Sequence, residues 1–329
     1  MYPELFEIPF THLTVKSYGL MMVIGFLTAV SIIRRLSRRI TPNPQLITNA
    51  ALYSLIAGVV GARLFYVVHY LDKFRENPLS VFAFWQGGLE LLGGVLLAIT
   101  VIILYMRYHK LPIRRYLDIL AIGLMAALAF GRIGCFLNGC CFGKPAQVPW
   151  AVRFPYGSPA YQSQVESNLQ RNRPEPQLEL PADFFGYVQR DGLWYSALKP
   201  YEDLTSEQKF VVEKGPFQCL PVHPTQLYSS ANGAVLCLIL YLFRRKSRKI
   251  NQTRKTSGLL KPGGTFGLMF VLYGVTRFFM EFVRDDNPFE FDSLTVSQNI
   301  SVVMVVLGMA LMAAFSRARP DNIPPETLQ

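Results

Sequence analysis

The sequence predicts an all-α polytopic membrane protein: seven transmembrane helices with a small extracytoplasmic head domain. Three observations predict it. Seven apolar stretches, at 18–33, 48–70, 88–106, 116–135, 225–243, 264–283 and 297–315, match or approach the length that crosses about 30 Å of hydrocarbon at about 1.5 Å per residue. Charged residues make up only 17% of the 329 residues and apolar side chains 51%, against roughly 25% charged in an ordinary soluble domain. Basic residues gather in alternate loops. A disordered chain is excluded by the apolar content, and a disulfide scaffold by the presence of only five cysteines.

The segment Met1–Ser17 holds Glu4 and Glu7 and no basic run, so the first apolar stretch is expected to remain in the mature chain. Arg34, Arg35, Arg38 and Arg39 follow that stretch. Arg107, Lys110, Arg114 and Arg115 separate the third and fourth, and eight Lys and Arg between Arg244 and Lys261 separate the fifth and sixth. Arg317 and Arg319 follow the seventh. None of the three loops carries an acidic residue. Positive loops stay in the cytoplasm, which puts the N-terminus outside and the C-terminus inside. The expected organisation is therefore residues 1–143 with spans one to four, 144–222 as the outer head, 223–316 with spans five to seven, and 317–329 as a cytoplasmic tail. The net charge of +11 is a topology signal and a contact with anionic headgroups, not a nucleic-acid footprint. No solenoid repeat is visible.

A charge inside a span costs at least about 2.5–3.5 kcal/mol, so each one calls for a reason. Arg63, Glu90, Arg132 and a set on span six, Tyr273, Arg277, Glu281 and Arg284, lie at that depth. At roughly 100° per residue the span-six set falls within about 80° of arc, on one face. Arg277 and Glu281, at i and i+4, are spaced to neutralise each other. Arg63, Arg132, Arg277 and Arg284 still outnumber Glu90 and Glu281 by two, with Asp285 and Asp286 past the boundary. Surplus buried guanidinium implies an anion, and in a membrane the obvious anion is a phospholipid headgroup.

The stretch GRIGCFLNGCCFG at 131–143 puts glycines where span four ends. They either let backbone N–H groups approach a phosphate or turn the chain into the head. HPTQLY at 223–228 opens span five, where His223 has three available roles: proton acceptor, phosphate ligand or helix-entry cap. His12, His69 and His109 show no partner at recognisable spacing. Cys135, Cys140, Cys141, Cys219 and Cys237 contain no CxxC pair and make no metal motif. With Cys140, Cys141 and Cys219 all on the oxidising side, Cys219 is expected to be disulfide-bonded to one of the vicinal pair.

Together with Tyr18-Gly19-Leu20, Gly61-Ala62-Arg63, Gly87-Gly88…Gly93-Gly94 and YGVTRFFMEFVRDDN at 273–287, these motifs resemble the prolipoprotein diacylglyceryl transferase family of bacterial inner membranes, over nearly the whole chain. The resemblance implies a seven-span fold with an outer head. It implies transfer of an sn-1,2-diacylglyceryl group from phosphatidylglycerol to the lipobox cysteine of a preprolipoprotein, with release of glycerol phosphate. It implies no cofactor or metal, and no nucleic-acid partner. By position, Arg132 resembles the family's phosphatidylglycerol-binding Arg and Arg277 its second essential Arg, with Tyr273 and Glu281 as companions. Asn138 and Gly139 match the signature's Asn-Gly, and Tyr18 the span-one Tyr; with His223 they complete the expected lipid-binding set.

Three positions depart from the family pattern. Leu92 stands where a His, often proposed as the base, is common; Cys135 replaces an Asn, and Cys140 a frequent acidic residue. The reaction needs a thiolate, and a cysteine of pKa about 8.5 is only a few per cent ionised at neutral pH. Glu281, Glu90 and His223, in that order, are the remaining candidate bases. An inactive relative that binds lipid or lipoprotein, and a transporter with an Arg-lined anion path, are the alternatives. A sideways opening to lipid, as against a continuous aqueous route along span six, separates transferase from transporter.

Overall fold

A computed structural model describes residues 4–8, 13–38, 40–41, 43–75, 78–82, 88, 90–190, 193–253, 260–287 and 294–318. His12, Arg39, Gly87, Arg254, Lys255, Arg319 and most of the expected tail lie outside the described residues. The described chain is mainly helical: α1 (Ser17–Ser37), α2 (Gln45–His69), the short α3 (Leu71–Arg75), α4 (Leu91–Tyr108), α5 (Ile113–Asn138), the short α6 (Pro159–Val165) and α7 (Ser206–Glu213), then α8 (Thr225–Thr253), α9 (Gly264–Met280) and α10 (Val296–Arg317). Two antiparallel hairpins accompany them, β1 (Glu4–Ile8) with β2 (Leu13–Lys16), and β3 (Phe185–Arg190) with β4 (Leu193–Leu198).

Six of the helices, α1, α2, α5, α8, α9 and α10, are long and apolar enough to cross a membrane. The apolar stretch expected as the third span falls on α4, an apolar but shorter helix. Its 18 residues reach about 27 Å, slightly under the hydrocarbon thickness. Apolar side chains such as Val23, Leu27, Ile56, Val60, Leu96, Ile99, Val303 and Val306 point outward from the bundle. In water this would be a liability; lipid is the solvent that suits it.

The helices are brought together by small residues. Lipid tails are as apolar as the helices, so close backbone approach rather than hydrophobic burial drives their pairing. A Cβ on Gly61 would stand 2.5 Å from the Gly93 carbonyl oxygen, which is how the Gly-Ala-Arg and Gly-Gly motifs join α2 to α4. Gly267 and Gly308 cross in the same way between α9 and α10. The central element is α5. Its Ala121, Ile122 and Met125 are buried with Leu236 and Leu240 of α8 and Met269 of α9, and its Tyr116 and Ile119 pack with Ile33 and Ile47.

One acid at membrane depth escaped the sequence reading. Asp118 of α5 is buried and accepts from the N–H groups of Gly263 (2.8 Å) and Phe266 (3.0 Å), capping the start of α9. Orphan N–H groups and the positive end of the helix dipole account for a carboxylate there.

Residues 144–222 have apolar clusters of their own. Phe154, Ala160, Tyr161, Val165, Leu178, Cys219 and Val222 form one with Phe142, and Phe184, Leu204 and Val212 another. Backbone pairing closes the two ends of the segment on each other, Ala146 N–H to Pro221 O (2.8 Å) and Val152 with Val222 in both directions at 3.0 Å, and His223 N–H to Lys144 O (3.1 Å) joins it to the turn before α8.

The span-six face needs a correction. The α-helix stops at Met280, a 3-10 turn covers Glu281–Val283, and Arg284 is extended. The cause is competition for the backbone. Lys144 N–H donates to Val283 O (2.8 Å), and Asp285 N–H to Phe142 O (3.3 Å), which draws this stretch into a bridge beside Gly143. Arg284 therefore reaches the site from a loop, not from the helix face.

Candidate active site

Three pieces of chain meet at the end of α5: its own C-terminus continuing to Gly143, the His223–Gln226 turn that starts α8, and residues 281–287 after α9. Gly139, in the left-handed region at φ 76°, ends α5 while its N–H and that of Cys140 close back on Phe136 and Cys135. This is a helix stop that a residue with a Cβ takes up only under strain. Gly134 makes room for Tyr18 and Met21 of α1, and Gly143 for His223, whose carbonyl a Cβ would meet at 2.6 Å. The glycines thus serve turning and close packing, the second of their two expected uses.

The charges can be accounted for one by one. Arg63 is engaged by backbone: it donates to the carbonyls of Val81 (2.8 Å), Gly88 (3.0 Å) and Ser80 (2.6 Å), pinning the chain between α2 and α4. Glu90 pairs with His69 at 2.9 Å, a partner that spacing did not reveal. His109 packs on Tyr105. Arg277 forms an ion pair with Glu281 (2.7 Å) and donates to Ser297 Oγ (2.7 Å). Glu281, only 1% exposed at its side chain, also accepts from Asn287 (2.6 Å). Arg284 makes two bonds to Asp286, at 2.9 and 2.6 Å, and Asp285 pairs with Arg173 at 2.8 Å. The expected surplus of two arginines thus shrinks, because Asp286 sits at the site and not beyond it.

What remains is Arg132. It is half-buried, and no hydrogen bond or ion pair joins it to any described residue; Tyr273, Cys141, Arg284 and Cys135 lie within electrostatic range. It lines a tight cleft, with only about 10 Å³ of open space, together with Leu128, Ser229, Asn232, Tyr273, Thr276, Arg277 and Met280. Arg132 and Arg277 thus share one opening between α5, α8 and α9. An unpartnered guanidinium beside a second one, at membrane depth and among hydroxyl and amide groups, is arranged to receive an oxyanion. Asn232, Thr276, Ser297 and Asn287 were missed in the sequence. An Asn inside the apolar stretch 225–243 was the available signal; Asn232 donates to Thr276 Oγ1 at 3.0 Å.

Tyr18 lies in electrostatic range of Arg132 and of Cys135, Cys140 and Cys141, so the span-one Tyr does reach the site. Asn138 lies beside the Cys140 side chain. His223 is held apart: its ring meets Tyr228 OH at 3.2 Å, and Trp150 donates to the same hydroxyl at 2.6 Å. The work of its motif falls to its neighbours. Thr225 Oγ1 donates to Cys141 O and Gln226 Nε2 to Cys140 O, both at 2.7 Å and both from fully buried residues.

The expected disulfide is not formed; all five cysteines are free. Cys219 is buried in the apolar cluster of residues 144–222, where burial pushes its thiol above the usual range. Cys140 and Cys141 instead meet Cys135, with all three Sγ atoms within 4.8 Å of one another. Sequence spacing hid this grouping, because the last turn of α5 and the Gly139 stop fold Cys135 back over the vicinal pair. The neighbouring Cys135 and Cys140 thiols, then the charges of Arg284 and Arg132, hold the Cys141 thiol below its ordinary range against the opposing effect of burial.

A family model for prolipoprotein diacylglyceryl transferase matches residues 3–314. The chain is 29% identical to a phosphatidylglycerol–prolipoprotein diacylglyceryl transferase of Burkholderia lata, over 94% of each chain. It is 31% identical to the protein of that name from Xanthomonas oryzae, over 92% of this chain and 87% of the relative. With the one from Clostridium tetani it shares 26%, over 94% and 96%. A match of this extent leaves no large part of the chain unaccounted for, and the chain belongs to the prolipoprotein diacylglyceryl transferase family.

Proposed function

We propose that this protein transfers the sn-1,2-diacylglyceryl group of phosphatidylglycerol to the lipobox cysteine of preprolipoproteins, forming a thioether and releasing glycerol phosphate. The observation that carries the reading is Arg132, the guanidinium left without a partner in the cleft it shares with Arg277. We further propose seven spans in the bacterial inner membrane, α4 included, with residues 144–222 as the extracytoplasmic head, the N-terminus outside and the C-terminus cytoplasmic.

In this scheme the two arginines hold the lipid phosphate and offset the negative charge that grows on it as the glyceryl carbon–oxygen bond breaks. Such donors are worth most in a site where water is scarce. Tyr273, Tyr18 and Asn138 shape the headgroup pocket, while the stop at Gly139 aims the chain that follows. Glu281 acts through Arg277, fixing its guanidinium toward the cleft, and is a positioning residue rather than the base. Glu90 is engaged by His69, and His223 by Tyr228; neither lines the cleft.

The test is a turnover assay in vesicles containing phosphatidylglycerol, with a lipobox peptide as acceptor, together with complementation of a transferase-depleted bacterium. Growth and thioether formation that disappear with Arg132→Gln support the reading. A folded protein that binds lipid but never transfers would favour the non-catalytic relative, which the exposed Leu92 at the family's His position motivates.

A further inference from the structure

Cys135, Cys140 and Cys141 form the one group of three metal-capable side chains among the described residues, with sulfurs no more than 4.8 Å apart. A tetrahedral zinc ion with Zn–S bonds of about 2.3 Å needs sulfurs about 3.8 Å apart. The three thiols reach that spacing by an approach of about 1 Å or less, within a small side-chain rotation.

The backbone beneath them is held in place. Cys135 lies on the last turn of α5. Cys141 sits in the left-handed region at φ 60°, a conformation that costs a residue with a Cβ roughly 1–3 kcal/mol and persists only where its surroundings enforce it. Here Thr225 and Gln226 enforce it through the Cys141 and Cys140 carbonyls. Gln226 adds a second observation: its Oε1 is fully buried and has no hydrogen-bond partner. A buried acceptor without a donor, on the side chain that holds the Cys140 carbonyl, asks for a bound group that brings protons, such as a metal-bound water.

We propose that Cys135, Cys140 and Cys141 bind a zinc ion whose fourth position is open to the thiol of the acceptor cysteine. The metal seat stands on the geometry alone; the acceptor role rests on the transferase reading above. Three protein ligands and one exchangeable position is the pattern of catalytic rather than structural zinc. Among the described residues Glu90, His223 and Glu281 are each engaged by a neighbour, and metal coordination is the other general way to make a thiolate at neutral pH.

The step balances without a further reactant. The acceptor S–H gives up its proton to water as sulfur binds zinc, and the bound thiolate attacks the glyceryl carbon. The carbon–sulfur bond forms as the carbon–oxygen bond to phosphate breaks. The bonding pair leaves with glycerol phosphate, held by Arg132 and Arg277, and the neutral thioether, a poorer ligand, departs. Zinc with three thiolates carries a net charge of −1, and −2 once the acceptor thiolate is bound, a charge that Arg284 and Arg132 are placed to offset.

The experiment uses the full chain purified without chelator, with elemental analysis of bound metal and, after exchange, cobalt absorption in the thiolate charge-transfer region. One zinc equivalent is expected. Cys135→Ser, Cys140→Ser or Cys141→Ser should each lower it by at least about tenfold, while Cys219→Ser and Cys237→Ser leave it unchanged. A lipobox peptide should add a further sulfur band to the cobalt protein, and its Cys-to-Ser counterpart should not. Stripping zinc should slow transfer about 10- to 30-fold, the factor between a fully ionised thiol and one of pKa about 8.5 at neutral pH. Absence of zinc, another metal in the seat, a disulfide among the three cysteines, or zinc indifferent to all three substitutions would overturn the metal site. Zinc present but blind to the peptide thiol would overturn the acceptor role. Transfer by metal-free protein at full rate would sink this inference and leave the transferase reading intact; zinc and peptide binding without transfer would do the reverse.

Discussion

Replacing Glu281 by Gln removes one charge and leaves the shape almost unchanged, so it isolates what the buried carboxylate does. Glu281 holds Arg277 at 2.7 Å with side-chain exposures of 1% and 13%, and it accepts from Asn287. The amide of the variant offers one acceptor oxygen where the carboxylate had two, and loses the charge that faces the Arg277 guanidinium, a group that can only donate. Breaking a buried pair on one side costs about 3–5 kcal/mol, because the remaining charge is left uncompensated. At 1.36 kcal/mol per tenfold, mispositioning of Arg277 by that amount lowers kcat/KM by between about two and four orders of magnitude. The assay is initial-rate transfer from phosphatidylglycerol vesicles to a lipobox peptide, with lipid affinity measured in parallel. A positioning residue predicts that lipid affinity falls along with turnover, and that Arg277→Gln with Glu281→Gln is no worse than Arg277→Gln alone. Wild-type turnover in Glu281→Gln would refute the reasoning. So would lost turnover with lipid affinity intact, the mark of a proton acceptor.

Three further outcomes are expected. Thr225→Val and Gln226→Leu each free a carbonyl of the cysteine turn and should cost about 1–3 kcal/mol of stability, with faster alkylation of Cys140 and Cys141 in the folded protein. Asp118→Ala uncovers the start of α9 and should lower thermal stability by about 0.5–2 kcal/mol, with Asp118→Asn losing less. Gly61→Leu forces a side chain against the Gly93 carbonyl and should cost about 1–3 kcal/mol through overpacking of α2 on α4, read as a lower melting temperature in detergent.

Most of the helices were legible because hydrocarbon imposes a length and a composition that no soluble core demands. The apolar stretch 297–315 lies inside Val296–Arg317, and 116–135 inside Ile113–Asn138. What was not legible depends on contacts between distant segments. The helical face at 273–284 breaks at Met280 because residues 142–144 compete for its backbone. Asp286 pairs with Arg284 because that break turns the chain back into the site. The three-cysteine group needs the Gly139 stop, whose fold-back no ligand spacing encodes. Arg132 and Arg277 were recognisable alone as costly charges in apolar helices; that Arg132 keeps no partner emerged only when every other charge had been assigned one.

Both guanidinium groups gripping one lipid phosphate is the central claim, and equilibrium binding of phosphatidylglycerol to Arg132→Gln, Arg277→Gln and the double variant tests it most directly. Charge-assisted bonds of about 1.5–3 kcal/mol predict roughly 10- to 100-fold weaker binding in each single variant. They also predict a double variant weaker than either single one but short of their product, because the two cations share one ligand. Unchanged affinity in Arg132→Gln, or losses that multiply as if the two arginines held separate ligands, would contradict it.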